Sequence, residues 1–272
     1  MKKYIFVMVA VLLGTISCED TNENLVQERG KAVNVSMSEA VPSFFIDGDL
    51  ENSFVAFDLS IPEGEKVDKA EMEVVFGNKK AILKGVQFPS SDMKVTATEI
   101  IQALGISPGD VKVDDTFYLY VLTTKNGMTT RSTAAMAINV TCEFDAKLTV
   151  GEYTFESASW GVSGKVTLEA DPVDQYKIYF VGTPLAEADG LSSGTGNKIE
   201  LIINPNSFKI SGSKVIVADD VADWGDPYTN IAYQPASGSY SSCDGTFNVN
   251  FAISVDQGGF GTFGFTFKKV IE

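Results

Sequence analysis

Residues 219–228 carry side chains that can bind a sugar. The segment reads Asp-Asp-Val-Ala-Asp-Trp-Gly-Asp-Pro-Tyr, so Trp224 and Tyr228 lie among acids that include Asp223 and Asp226. A sugar ring presents a C–H face that packs on an indole or phenol ring, while carboxylates accept hydrogen bonds from its hydroxyls. This segment is therefore the main candidate for a ligand-binding site.

Two other interpretations of these residues stay open. Trp224 can pack across the mouth of a barrel while the acids stay solvated, because aromatic side chains more often build cores than sites. The acids can also bind calcium, although their spacing does not match an EF-hand loop. Trp160, in Ser-Trp-Gly-Val-Ser-Gly, is either a second exposed ring or a cap on the same barrel. If the two tryptophans lie together, the ligand-binding interpretation is favoured, and Tyr233 and Tyr240 extend the platform unless they point inward.

Composition excludes several classes of function. The 272 residues contain no histidine, which rules out Ser-His-Asp and Cys-His catalysis. Neither a Walker-type phosphate loop nor a strand-linked Gly-x-Gly-x-x-Gly is present. The chain has 36 Asp and Glu against 21 Lys and Arg, a net charge of -15 that repels nucleic acid and anionic lipid. We expect no catalytic residues, no enzyme activity, no bound cofactor apart from a calcium ion as an option, and no nucleic-acid partner.

The first residues predict export. Residues 1–17 have a positive start and an apolar stretch too short for a confident transmembrane helix, as in a signal peptide. Thr-Ile-Ser before Cys18 resembles the lipobox of bacterial lipoproteins, which implies that Cys18 is acylated and becomes the first residue. Residues 18–30 then form a polar, acidic linker. In lipoproteins of the Bacteroidota such acids are associated with display on the outer membrane surface, while a solvated spacer without sorting information is the alternative.

Two cysteines remain after Cys18. An exported protein permits a disulfide between Cys142 and Cys243, but sequence alone does not show whether their Cα atoms are close enough. Cys142 lies in an apolar alternation and Cys243 begins a turn, in what we interpret as different domains. We expect both to be buried free thiols.

The pattern from residue 31 to 144 predicts an immunoglobulin-like β-sandwich. About seven runs alternate apolar and polar residues, as half-buried strands do. A short helix interrupts them: Thr96 and Glu99 fit a capping box, and Gly105 suits a left-handed C-cap. Asn126-Gly127 is the pair that two-residue hairpins prefer. The Cys-Trp-Cys core of true immunoglobulins is absent.

Residues 145–272 predict a second all-β domain. Roughly eight alternating runs joined by short turns suit an up-and-down β-barrel or a closed β-sandwich. The clearest are 247–255 and 263–267, with a Gly-rich turn between them. A barrel of this size holds one small ligand or fills with side chains.

Two stretches carry a family resemblance over nearly the whole chain after Cys18. Residues 96–105, 110–117 and 124–127 resemble the N-terminal module of Bacteroidota lipoproteins encoded with starch-utilisation-type uptake systems. Residues 238–247 and 260–263 are similar to the C-terminal module of the same proteins. The family offers no catalytic motif.

The resemblance implies an outer-membrane, lipid-anchored accessory protein on the cell surface. Its expected partners are the membrane, a polysaccharide ligand and an outer-membrane uptake complex. A structural or adhesin-like assembly module, in which a protein partner replaces the glycan, is the alternative.

Overall fold

A computed structural model describes residues 32–225 and 228–270. The described residues form mainly β-strands with two short helices, which confirms the predicted all-β class. Two hydrophobic cores divide them. Among the described residues, no helix is long and apolar enough to cross a membrane.

The first core lies inside a β-sandwich. In chain order its strands are β1 (Ser36–Met37), β2 (Phe44–Ile46), β3 (Phe54–Ser60), β4 (Lys69–Phe76), β5 (Lys79–Gly85), β6 (Ser90–Thr96), β7 (Thr116–Lys125), β8 (Met128–Arg131) and β9 (Met136–Thr141). One sheet has the order β1-β3-β6, and the other has the order β2-β9-β7-β4-β5 with β8 paired to β7. Strand β2 runs parallel to β9, while the other pairs are antiparallel. Alternate residues such as Val55, Phe117 and Leu119 are buried between the sheets.

Local signals in the sandwich sequence are confirmed. Helix α1 (Ala97–Leu104) begins with a capping box, in which Thr96 Oγ1 accepts from the backbone N–H of Glu99 at 3.1 Å and Glu99 Oε2 accepts from that of Thr96 at 2.8 Å. It ends at Gly105, whose φ of 59° is left-handed. The β7–β8 hairpin turns at Asn126 and Gly127, both with positive φ.

The second core lies inside a curled nine-stranded sheet. In chain order the strands are β10 (Gly151–Ser157), β11 (Val162–Ala170), β12 (Lys177–Val181), β13 (Lys198–Ile203), β14 (Ile210–Ser211), β15 (Val215–Asp220), β16 (Thr229–Tyr240), β17 (Phe247–Val255) and β18 (Gly258–Lys269). Helix α2 (Thr183–Ala188) lies between β12 and β13, and 3₁₀ turns span Ala146–Leu148 and Ala222–Trp224 here and Pro108–Asp110 in the sandwich. The order in the sheet is β14-β13-β12-β11-β10-β18-β17-β16-β15.

The two edges of this sheet approach each other. Strand β16 is long enough to pair with β15 along its first half and to meet the β14 edge along its second half. The contacts are a bridge between Lys209 and Ser239 and a hydrogen bond of 2.8 Å from the N–H of Tyr240 to the carbonyl of Phe208. The sheet therefore curls into a barrel-like body, which we call the barrel.

Aromatic side chains fill the barrel. Strand β17 alternates strictly, with Phe247, Val249 and Phe251 buried and Asn248 and Asn250 exposed. Further rings that are 2% exposed or less pack beside them: Tyr153, Phe155, Phe180, Tyr233, Phe265 and Phe267. Of the two options for a barrel of this size, filling with side chains is the one observed.

The sandwich and the barrel meet at an interface that we call the seam. Rings from both sides pack there, with Phe44 of β2 against Phe208 at 4.5 Å between centroids and Phe144 against Tyr176 at 4.5 Å. The backbone N–H of Ser43 donates to the carbonyl of Asn206 at 3.0 Å. Tyr240 completes the cluster, 5.8 Å from Phe144 and 6.0 Å from Phe208.

The prediction of free thiols was wrong. Cys142 and Cys243 form a disulfide across the seam, with their Cα atoms 5.0 Å apart. The end of β9 and the β16–β17 connection meet there, and Ser242 Oγ donates to the carbonyl of Cys142 at 2.7 Å. The two cysteines are 101 residues apart in sequence, so only the packing of the two bodies brings them together. The predicted division at residue 144 stays a prediction.

Candidate functional site

The candidate site lies at the end of the barrel away from the seam. Neighbouring barrel strands are antiparallel, so connections alternate between the two ends, except at 212–214, where β14 and β15 follow one another in the same direction. The end of β10, the start of β18, the end of β17 and the start of β16 therefore lie together. Connections 158–161, 182–197, 221–228 and 256–257 lie at one end. Connections 171–176, 204–209 and 241–246 lie at the other, where the seam is. Trp160 and the 219–228 segment are thus placed at the same end by topology alone.

Five aromatic rings meet at this end, and we call them the rim: Trp160, Trp224, Tyr228, Phe260 and Phe263. The centroids of Trp160 and Trp224 are 6.2 Å apart. Phe260 lies 5.7 Å from Trp160, 5.8 Å from Trp224 and 5.7 Å from Tyr228, and it therefore joins the tryptophans to the tyrosine. Phe263 packs under Trp160 at 4.5 Å. The condition set by the sequence, that the two tryptophans lie together, is met.

Asp189 holds the tryptophans in place. Trp160 Nε1 donates to Asp189 Oδ1 at 2.6 Å, and Trp224 Nε1 donates to the backbone carbonyl of Asp189 at 2.8 Å. Tyr233 Oη donates to Asp189 Oδ2 at 2.6 Å. Burial raises the pKa of Asp189, while the hydrogen bonds from Tyr233 and Trp160 oppose that rise. Burial and the Asp189 charge raise the pKa of Tyr233 in turn.

The rim rings differ in what they offer to solvent. Trp160, Trp224 and Phe263 are partly buried against the barrel core. Tyr228 and Phe260 are 36% and 37% exposed. Since both indole N–H groups already donate to Asp189, the tryptophans supply ring surface and no free donor. The rings open to a ligand are those of Tyr228 and Phe260, backed by the tryptophan pair.

The acids of the segment have separate roles. Asp223 Oδ2 accepts from both the backbone N–H and the Oγ of Ser192, each at 2.8 Å, and these bonds lower the pKa of Asp223. Both bonds use Oδ2, which leaves Oδ1 of this exposed carboxylate for other donors. Asp226 lies outside the described residues, as does Cys18. Within 32–225 and 228–270 no group of three or more His, Cys, Asp and Glu side chains could hold a metal ion. The calcium option stays a prediction.

The structure adds three residues to the candidate site and shows that two of the sequence candidates point inward. Phe260, Phe263 and Asp189 were not among the candidates. Phe260 had a weak signal, because it follows the Gly-rich turn between the two clearest strands. Tyr233 and Tyr240 point inward, at 0% and 4% exposure, and belong to the core and the seam.

The fold and site together define a two-core, all-β protein with an aromatic rim on a barrel. No protein-family model and no curated protein matches the chain. Among solved structures, it is similar to a redesigned β-barrel with 12% identity and a TM-score of 0.26, over 46% of this chain and 95% of that one. A likeness at this level carries no argument about function.

Proposed function

We propose that this protein is a lipid-anchored accessory protein of the cell surface that binds carbohydrate, without catalysis, for a polysaccharide uptake system. The observation that carries the binding proposal is the rim. Two exposed rings, Tyr228 and Phe260, are continuous with a fixed pair of tryptophans. Exposed aromatic surface next to a carboxylate is the combination that packs on a sugar face and hydrogen-bonds its hydroxyls.

Two further features support a neutral sugar as the ligand. The net charge of -15 disfavours uronates and other anions unless a cation intervenes. Asp223 Oδ1 is a hydrogen-bond acceptor on the same connection as Trp224 and Tyr228. The proposals of a lipid anchor and of a cell-surface location rest on the sequence of residues 1–17 and on Cys18, which lie outside the described residues.

Tryptophan fluorescence is a direct test of this site. The chain has only two tryptophans, and both lie in the rim, so any change in emission is local. The chain from residue 19 onward, which keeps every described residue, is titrated with amylopectin, glucomannan and arabinoxylan, with and without calcium. We expect a saturable shift with one of these neutral polysaccharides.

Variants of the exposed rings sharpen the test. Phe260→Ser or Tyr228→Ser should weaken binding about tenfold, as expected for a lost ring contact of roughly 1.4 kcal/mol. Tyr118→Ser is the matched control, because Tyr118 is a similarly exposed ring (42%) that lies on β7 of the sandwich and is not part of the rim. Equal affinity of all three variants, or no shift with any glycan, would overturn the proposal. Co-purification with other surface proteins would then favour the assembly role.

A further inference from the structure

The outer face of the barrel carries a second candidate binding surface, separate from the rim. Strand pairing aligns residues of five neighbouring strands, together with Lys209 just before β14, in one row: Ser163, Glu156, Thr266, Asn248, Ser239 and Lys209. The row crosses five strand spacings of about 4.8 Å each, or roughly 24 Å. All six line one open groove of about 1180 Å³, which we call the groove.

Small side chains line much of the groove. A second row beside the first contains Gly264, Asn250 and Ser237, and these line the groove together with Ala158. Gly264 is one of them, and a Cβ there would lie 3.4 Å from Asn250 Oδ1. Bulky apolar residues of the same strands, such as Val249 and Phe265, also border the groove but are almost fully buried in the barrel core. A chain-like ligand can therefore approach the backbone of β18.

The side chains of the groove are suited to hydroxyl groups. Asn250 Nδ2 donates to Ser237 Oγ at 3.0 Å, and Thr266 Oγ1 donates to Asn248 Oδ1 at 3.0 Å. These bonds orient the two amides and leave Asn248 Nδ2 as a donor and Asn250 Oδ1 as an acceptor toward the groove. Hydrogen-bond donors and acceptors thus lie on neighbouring strands, and a ligand with many hydroxyl groups can satisfy them because each hydroxyl can donate and accept.

The charges of the groove favour an uncharged ligand. Lys165 pairs with Glu152 at 2.6 Å, and Lys209 pairs with Glu39 of the sandwich. The remaining charged residues of the lining, Glu156 and Lys268, have opposite signs. The groove is thus close to neutral in a protein of net charge -15.

The groove also leads to the rim. Its lining includes Ala158 and Ser159, the two residues before Trp160. We infer that the groove binds an extended, neutral polysaccharide whose chain continues onto the aromatic rim. The inference rests on the proposed function for the class of ligand, and it adds that the ligand is a polymer lying along the outer face of the barrel.

The test compares short and long ligands. Maltotriose is compared with amylopectin, and mannotriose with glucomannan, by calorimetric titration of the chain from residue 19 onward. We expect the polymer to bind at least tenfold more tightly than its trisaccharide per binding site, because only the polymer spans the groove and the rim together.

Groove variants separate this inference from the rim proposal. Asn248→Ala with Asn250→Ala, and separately Gly264→Gln, should weaken polymer binding about tenfold and leave trisaccharide binding unchanged. Thr167→Gln is the matched control for Gly264→Gln, since Thr167 is exposed on β11 outside the groove. Thermal unfolding checks that each variant is folded.

Each outcome decides one of the proposals. Polymer affinity that survives both groove variants, or that falls equally in Thr167→Gln, overturns the groove while leaving the rim in place. Polymer binding that is lost in the groove variants but kept in Phe260→Ser supports the groove and overturns the rim. Binding of polygalacturonate in preference to the neutral polymers overturns the assignment of an uncharged ligand.

Discussion

Aromatic rings close both ends of the barrel, but they are covered by the sandwich at one end and partly exposed at the other. At the seam, Phe144, Phe208 and Tyr240 are covered by the sandwich, whose Phe44 packs directly on Phe208. At the rim, nothing in the described chain covers Tyr228 and Phe260, which stay more than a third exposed. The same residue types therefore serve as packing where a second layer is present and as available surface where it is not.

The ends also differ in how their polar groups are satisfied. At the rim, Asp189 accepts from Trp160 and Tyr233, so each of these polar atoms has a partner. At the seam, the buried hydroxyl of Tyr240 has no hydrogen-bond partner among the described residues, and the bodies are joined by a disulfide. The rim is held by one shared polar centre, whereas the seam combines ring packing and a disulfide with separate hydrogen bonds, such as that from Ser43 to Asn206.

Removing the disulfide should have the largest effect and should act on the seam alone. Cys142→Ala with Cys243→Ala opens a loop of 101 residues, for which the loss of stability is about 3–5 kcal/mol. Urea unfolding followed by circular dichroism measures it. Native tryptophan emission in the folded variant should match the wild type, because both tryptophans are at the rim. An altered emission would show that loss of the disulfide also changes the rim, and would contradict the independence of the two ends.

Asp189→Ala should have the next largest effect and should act on the rim. It leaves Trp160 Nε1 and Tyr233 Oη without an acceptor, at a cost of about 2–4 kcal/mol. Asp189→Asn is the control, since its oxygen can accept from Trp160 and its amide can donate to Tyr233 Oη. Urea unfolding should rank Asn well above Ala. Equal losses would show that the carboxylate charge is what matters.

The stability contribution of Asp189 should also depend on pH. Burial raises the pKa of Asp189 in the folded protein, so the fold disfavours the charged carboxylate. The free energy of unfolding should therefore fall as pH rises through the folded pKa of this group. Asp189→Asn should lack that contribution when unfolding is followed from about pH 4 to 7, above the ordinary pKa of an aspartate.

A pair of tyrosine variants should show the smallest effect, with opposite outcomes at the two ends. Tyr240→Phe removes a buried hydroxyl that has no partner, so stability should stay equal or rise by up to about 1 kcal/mol. Tyr233→Phe removes a donor to Asp189 and should cost about 1 kcal/mol. Thermal unfolding of both variants under one set of conditions compares them. Losses of the same size would remove the polar distinction between seam and rim.

Features with a short-range cause could be predicted from the sequence. The capping box at Thr96 and Glu99, the Asn126-Gly127 turn and the alternation of β17 each depend on neighbours within a few residues. Strand β16 is harder to predict from the sequence, because Pro235 lies within it. The structure accommodates that proline at a register shift between Pro235 and Ser237.

Features that depend on packing between distant segments could not be predicted. Asp189 is one of 36 acidic residues, and only the curl of the sheet brings it under both indoles. The Cys142–Cys243 pair likewise depends on how the two bodies meet. For the candidate site, residue types suggested Trp160, Trp224 and Tyr228, and the structure adds Phe260, which contacts Trp160 and Tyr228.

The disulfide also sets the path of mechanical load through the molecule. Cys243 lies four residues before β17, and the β17–β18 hairpin carries Phe260. The shortest covalent route from the sandwich to that ring therefore crosses from Cys142 to Cys243 and omits residues 143–242. A force applied between the N-terminal side of the sandwich and a ligand held at Phe260 is transmitted through the disulfide. Residues 143–242 lie outside this covalent path, so the force does not extend them.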